Sequence, residues 1–268
     1  MSLPAFQTLG NPNDPPLLFL HGLGAGKIQT TSAFPSLPHC FLIAPDMPGH
    51  GESQSYDPSG FSFDSFADLT VRLIRHLGIE TLHLGGLSMG SGIALNIALR
   101  YPEMVHSLIL LRPSWTDKRK PEHLKLVAWV GQWIEKLGMH GAREQLLQCP
   151  DFLILQTQNP PVADSILALF DRPETPASTA VLYKMWQDAP FHALSELQSI
   201  EQPTLILTTG RDELHPQLAA DQIAANLRHH RSTALPARYH EPEAYHTALR
   251  GEVRDFLASN ELSEPSPS

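Results

Sequence analysis

The chain predicts an α/β fold, a mostly parallel sheet flanked by helices, and three observations predict it. Short uninterrupted apolar runs recur at 17–20, 40–44, 81–84, 105–111 and 204–208, as strands require when both of their faces are covered. Between several of them lie segments whose apolar residues return every three or four positions, the period of a buried helix face. A serine flanked by glycines, Gly86-Leu87-Ser88-Met89-Gly90, stands where one apolar run gives way to a helical pattern. Strand, helix, strand is the grammar of βαβ units.

Taken in order, the run at 17–20 opens the sheet and 40–44 continues it. Residues 62–77 place Phe63, Phe66, Leu69, Leu73, Ile74 and Leu77 on one helical stripe, with Asp64 near the start and Gly78 past the end, as helix termini favour. The strand at 81–87 runs into a helix at 91–100, and 105–111 is the next strand. From Pro113 to Ile200 the rhythm breaks: helical patterns and prolines replace strands, so 113–200 is expected to be a helical lid set between the two parts of an α/β core, 1–112 and 201–260. A strand at 204–208, a helix at 217–227, a short strand at 232–235 and a closing helix at 245–257 complete the core. The Ser/Pro/Glu-rich residues 261–268 are expected to be a disordered tail. No internal repeat is present.

Composition narrows the function classes. Nineteen Lys and Arg against 28 Asp and Glu give a net charge of -9, which argues against a nucleic-acid or anionic-membrane surface. No stretch approaches the roughly 18 apolar residues of a membrane span, and the first ten residues lack a basic, then apolar, leader. Cys40 and Cys149 are too few for a disulfide framework, and Cys40, inside an apolar run, reads as a buried free thiol. These features fit a cytoplasmic protein, a monomer or homodimer, acting on a small molecule. The 14 histidines are scattered and suggest no metal site, and no cofactor motif is found. Gly22-Leu23-Gly24-Ala25-Gly26-Lys27 has neither phosphate-loop spacing, since Lys27 is followed by Ile28.

The serine pentad has a steric reason. A serine on a sharp strand-to-helix turn holds its hydroxyl above the sheet, and glycines two residues to either side remove the Cβ atoms that would collide there. A serine hydroxyl is a poor nucleophile at neutral pH, so it needs a histidine base and a carboxylate that orients the base. Four segments in order, His21-Gly22-Leu23-Gly24, Asp46-Met47-Pro48-Gly49-His50-Gly51-Glu52-Ser53, the pentad at Ser88, and 203–212 with Pro216 beyond it, resemble the α/β-hydrolase superfamily over nearly the whole core.

The resemblance implies a Ser-His-Asp triad and an acyl-enzyme. Ser88 is the expected nucleophile and Asp212, after the 204–208 strand, the expected acid, with Glu213 next to it as the alternative. His240, 28 residues after Asp212, is the expected base, with His246 as competitor. His21 and His50 are expected to be structural loop residues. The oxyanion hole would be made by the backbone N–H groups of Leu23 and Met89. In that superfamily the place of 113–200 belongs to a lid, and its apolar stripes (Leu124, Val127, Ala128, Trp129, Trp133, Ile134 and Leu137, then Ile166, Leu167, Leu169 and Phe170) favour a hydrophobic acyl group. Arg112, at the lid hinge, could bind a carboxylate. The expected activity is hydrolysis of an ester or related acyl bond. Carbon–carbon bond hydrolysis, lyase chemistry and a non-catalytic ligand receptor are the alternatives.

Overall fold

The protein, a computed structural model describing residues 2–262, is built on a seven-stranded sheet. Its strands are β1 (Phe6–Leu9), β2 (Pro16–Leu20), β3 (Phe41–Pro45), β4 (Leu82–Leu87), β5 (Val105–Leu111), β6 (Thr204–Thr209) and β7 (His230–Leu235), in the spatial order β1-β3-β2-β4-β5-β6-β7. Only β1 runs antiparallel, against β3; the other neighbours are parallel. The mostly parallel sheet flanked by helices matches the predicted fold class.

The strands are continuous in hydrophobicity because both faces are buried. Leu18 and Leu20 of β2, Leu108 and Leu110 of β5 and Ile206 of β6 pack into one layer, while Leu17, Phe19, Ile109, Leu111, Leu205 and Leu207 pack into the other. Alternate side chains of a strand point to opposite faces, so both registers are mostly apolar. The second layer is closed by α1 (Lys27–Ala33), through Ala33, and by the last helix, α9 (Pro242–Ser259), through Leu249 and Val253. The first layer is closed by α2 (Phe63–His76), α3 (Met89–Arg100) and α8 (Gln217–Ala224). The start of α2 is fixed by a capping box in which the Ser62 side chain accepts from the Ser65 N–H and the Ser65 hydroxyl faces the Ser62 N–H.

Between β5 and β6 the chain forms α4 (Lys125–Leu147), α5 (Pro150–Gln158), α6 (Pro160–Leu167) and α7 (Pro176–Trp186), with no strand among the described residues. Of the apolar stripe that opens α4, Val127, Ala128 and Ile134 are buried, whereas Trp129 and Trp133 are half-buried and lie together at the core margin, ring centroids 5.9 Å apart. Leu137 is exposed. Cys40 and Cys149 are buried free thiols, and burial pushes the Cys40 thiol up to about 12. No described helix is long and apolar enough to cross a membrane. Of the tail expected at 261–268, residues 263–268 lie outside the described residues.

Candidate active site

Strand β4 ends at Leu87 and helix α3 begins at Met89, so the whole change of direction falls on Ser88, at φ 55° and ψ -109°. A residue with a Cβ adopts positive φ only at a cost of about 1–3 kcal/mol. The surroundings enforce it. A Cβ on Gly86 would run into the backbone of Gly90, and one on Gly90 into the Leu20 carbonyl. The Ser88 N–H donates to the Leu111 carbonyl at 2.9 Å, tying the turn to the end of β5. The Ser88 hydroxyl donates to Ser114 Oγ at 3.3 Å, and Ser114 Oγ in turn to the Leu214 carbonyl at 2.8 Å.

The loop after β2 is held from both sides of Leu23. The Gly22 N–H donates to Gln29 Oε1 (2.8 Å) and the Gly24 N–H to His50 Nε2 (3.0 Å). The Leu23 N–H makes no hydrogen bond among the described residues. Met89 is the first residue of α3, whose first-turn N–H groups have no carbonyl within the helix and carry the positive end of its dipole.

Two buried histidines brace this loop. His21 Nε2 accepts from the Met47 N–H (2.9 Å) while its Nδ1 lies 2.8 Å from the Gly22 carbonyl, which fixes the proton on Nδ1. Burial holds His21 down at about 4 and His50 well below the ordinary imidazole range, so both are neutral brackets. Lys27 is committed to Asp46, Nζ to Oδ2 at 2.9 Å, and the Asp46 carboxylate also accepts from the Lys27 and Glu52 N–H groups.

Asp212 lies just beyond β6 and is 7% exposed. The residue before it, Arg211, has φ 56°, and this left-handed step turns the carboxylate inward. Its Oδ2 accepts from Arg112 Nη1 at 2.7 Å and its Oδ1 lies 2.8 Å from His215 Nδ1. The expected partner was His240. Among the described residues no hydrogen bond joins Asp212 to His240; the imidazole on Asp212 is that of His215, three residues along the same loop. His240 sits on the turn after β7 with its N–H on the Ala237 carbonyl and its Nε2 buried without a partner. His246, on α9, also has a buried Nδ1 without a partner. Glu213, the alternative acid, accepts from Asn159 Nδ2 at 2.7 Å.

Burial alone would raise the Asp212 carboxyl. His215 and Arg112 outweigh it and hold the group well below the usual carboxylate range. His215 is pushed down to about 4, first by burial and then by the Arg112 charge, so it is neutral at pH 7 and able to accept a proton.

Ser88, Leu23, Arg112 and His215 meet at one cavity of about 250 Å³, close to the lower limit of small-molecule sites. Ser88, Leu23, Arg112, Leu214, His215, Arg238 and Tyr239 line it from the core, and Leu124, Val127, Ser165, Ile166, Ala168 and Leu169 from the helical segment. Its wall is thus apolar on the helical side and polar at the sheet. His215 and Arg238, which line this cavity, and Ser114, which touches Ser88, are not among the residues expected from the sequence. For His215 a signal existed, an Asp-x-x-His step in the loop after a late strand. Among the described residues, no group of three or more His, Cys, Asp or Glu side chains is arranged to hold a metal ion.

A family model described as alpha/beta hydrolase fold matches residues 15–249. A pimeloyl-[acyl-carrier protein] methyl ester esterase of Neisseria meningitidis is 27% identical over 256 residues, covering 92% of this chain and 78% of that protein. A 2-hydroxymuconate semialdehyde hydrolase of a Pseudomonas species is 26% identical over 211 residues, covering 75% and 71%. Among solved structures, a thermophilic esterase from Thermogutta terrifontis superposes with a TM-score of 0.70 at 24% identity, over 94% of this chain and 93% of that one.

Proposed function

The chain belongs to the α/β-hydrolase family, and from that premise we propose that it is a serine esterase acting on a small acyl ester, with Ser88 as nucleophile. The observation that carries this reading is Ser88 itself: a strained positive-φ serine between a strand and a helix, opening into the cavity that His215, held on Asp212, also lines. Similarity to a methyl ester esterase over most of the chain supports ester chemistry in particular.

In the proposed reaction Ser88 Oγ attacks the ester carbonyl carbon while the base takes the hydroxyl proton. The carbonyl π electrons move onto oxygen, where the Leu23 and Met89 N–H groups would receive the charge. Collapse breaks the bond to the alcohol, which leaves with the proton carried by the base. Water then attacks the acyl-enzyme, the base takes its proton, and Ser88 recovers that proton as the acid departs.

We assign the base to His215, because its Nδ1 already faces Asp212 while it lines the cavity with Ser88. His240, the base implied by the family pattern, has an unpartnered buried Nε2 and is the second candidate. The segment 113–200 acts in this reading as the lid that selects the acyl group, its cavity-facing Leu124, Val127, Ile166 and Leu169 contacting the carbon chain.

The test is turnover of short- and medium-chain p-nitrophenyl esters, paired with ligand-induced melting shifts. Hydrolysis lost in Ser88→Ala supports the reading. Ligand binding without turnover by the unsubstituted protein would point instead to a receptor.

A further inference from the structure

Resting on the esterase reading of Ser88, we propose that the substrate carries a carboxylate, held by Arg112 and Arg238 while its apolar portion lies against the helical segment. Arg112 is 1% exposed. Only its Nη1 is engaged, by Asp212; Nε and Nη2 are buried with no hydrogen-bond partner among the described residues. Nε and Nη2 form one edge of the planar guanidinium, and that edge matches the two oxygens of a carboxylate. Leaving a buried charged donor unsatisfied is costly, so a ligand that satisfies both N–H groups gains more there than at any exposed arginine.

The chain brings Arg112 to the same cavity as the nucleophile. Ser88 donates its N–H to the Leu111 carbonyl, and Arg112 is the next residue, held at φ 46°. Both line the same cavity. Arg112 takes this place in the wall with a backbone conformation that a non-glycine residue rarely adopts.

A second cation reinforces the first. Arg238 lines the cavity, is half-buried, and forms no ion pair among the described residues; its guanidinium lies over the Tyr239 ring, 5.3 Å from the centroid. The cations Arg112 and Arg238 face the single anion Asp212, with His215 neutral, which leaves an excess of one positive charge. A monoanion balances it; a phosphate dianion would not. The opposite wall, with Leu124, Val127, Ile166 and Leu169, suits a short carbon chain. The expected substrate class is accordingly a short ester with a free carboxylate at its other end, such as the monoester of a dicarboxylic acid.

The probes are monomethyl glutarate and dimethyl glutarate, which have the same carbon chain and differ at one end in a methyl group and a charge. Their binding to Ser88→Ala protein is measured by ligand-observed NMR titration, and their hydrolysis by the unsubstituted protein is measured separately. The monoester is expected to bind at least about tenfold tighter than the diester, as a charged two-point contact implies. That preference should fall to within about twofold when Arg112→Met or Arg238→Gln is added, and the partly exposed Arg238 keeps the test open if the Arg112 variant does not fold. Equal or tighter binding of the diester, or a preference untouched by Arg238→Gln and by any folded Arg112→Met protein, overturns the inference. If the monoester is preferred but neither ester is hydrolysed, the anion site stands and the esterase reading fails. If both are hydrolysed with no preference, the reverse holds.

Discussion

Replacing His215 by alanine separates its two roles, and the structure sets a magnitude for each. As the proposed base, facing Asp212 at 2.8 Å, it should contribute about 10²- to 10⁴-fold to the chemical step, or about 3–5 kcal/mol of barrier. Its effect on stability has a pH signature. The folded-state value of about 4 lies below the ordinary 6.5, so between those values the unfolded chain binds the proton and the folded chain does not. Folded His215 is therefore neutral and without penalty above pH 6.5, and it costs stability increasingly as pH falls toward 4. At pH 5 the penalty is on the order of 2 kcal/mol. His215→Ala removes it, so the stability difference between variant and parent should shift by about that amount in the variant's favour between pH 8 and pH 5. The assays are kcat/KM on a p-nitrophenyl ester and urea unfolding at the two pH values, with His240→Ala measured alongside. A His215→Ala enzyme within threefold of the parent, together with a collapse in His240→Ala, would refute the assignment and return the base to His240.

Other expectations follow from the same geometry. Gly90→Ala drives a methyl group into the Leu20 carbonyl and should cost about 1–3 kcal/mol, read as a fall in Tm of several degrees; an unchanged Tm would mean that the elbow is less tightly packed than described. His83, 2% exposed and 2.7 Å through Nδ1 from Ser107 Oγ, is held at about 4 by burial and by His106. It too costs stability as pH falls from 6.5 toward 4, so His83→Gln should lose about 2 kcal/mol less than the parent between pH 7.5 and pH 5 in urea titrations; parallel losses would refute it.

The residues explain what the sequence could and could not reveal. The inner strands were legible because burial on both faces favours apolar residues at successive positions, as in Leu17 to Leu20. Strand β1 was not: Phe6, Gln7 and Thr8 are exposed on the sheet edge, so the hydrophobic signal is missing and only the backbone pairing with β3 makes them a strand. Likewise β7 begins at His230, two residues before the expected start, with His230, Arg231 and Ser232 exposed. Ser88 was legible because its neighbours are constrained by sterics that glycine alone relieves. The partner of Asp212 was not, because a separation in sequence does not say which imidazole a loop turns inward. The left-handed step at Arg211 and the short span to His215 accompany the contact of that imidazole with Asp212. Arg112 was visible as a candidate for a carboxylate, but its unpartnered Nε and Nη2 edge becomes apparent only once Asp212 is seen to occupy Nη1 alone.

Activation of Ser88 as a nucleophile is read by intact-mass spectrometry after treatment with a fluorophosphonate probe. One adduct mapping to the peptide that carries Ser88, absent in Ser88→Ala, is the predicted result. Unlabelled folded protein, or equal labelling of Ser88→Ala, would contradict it.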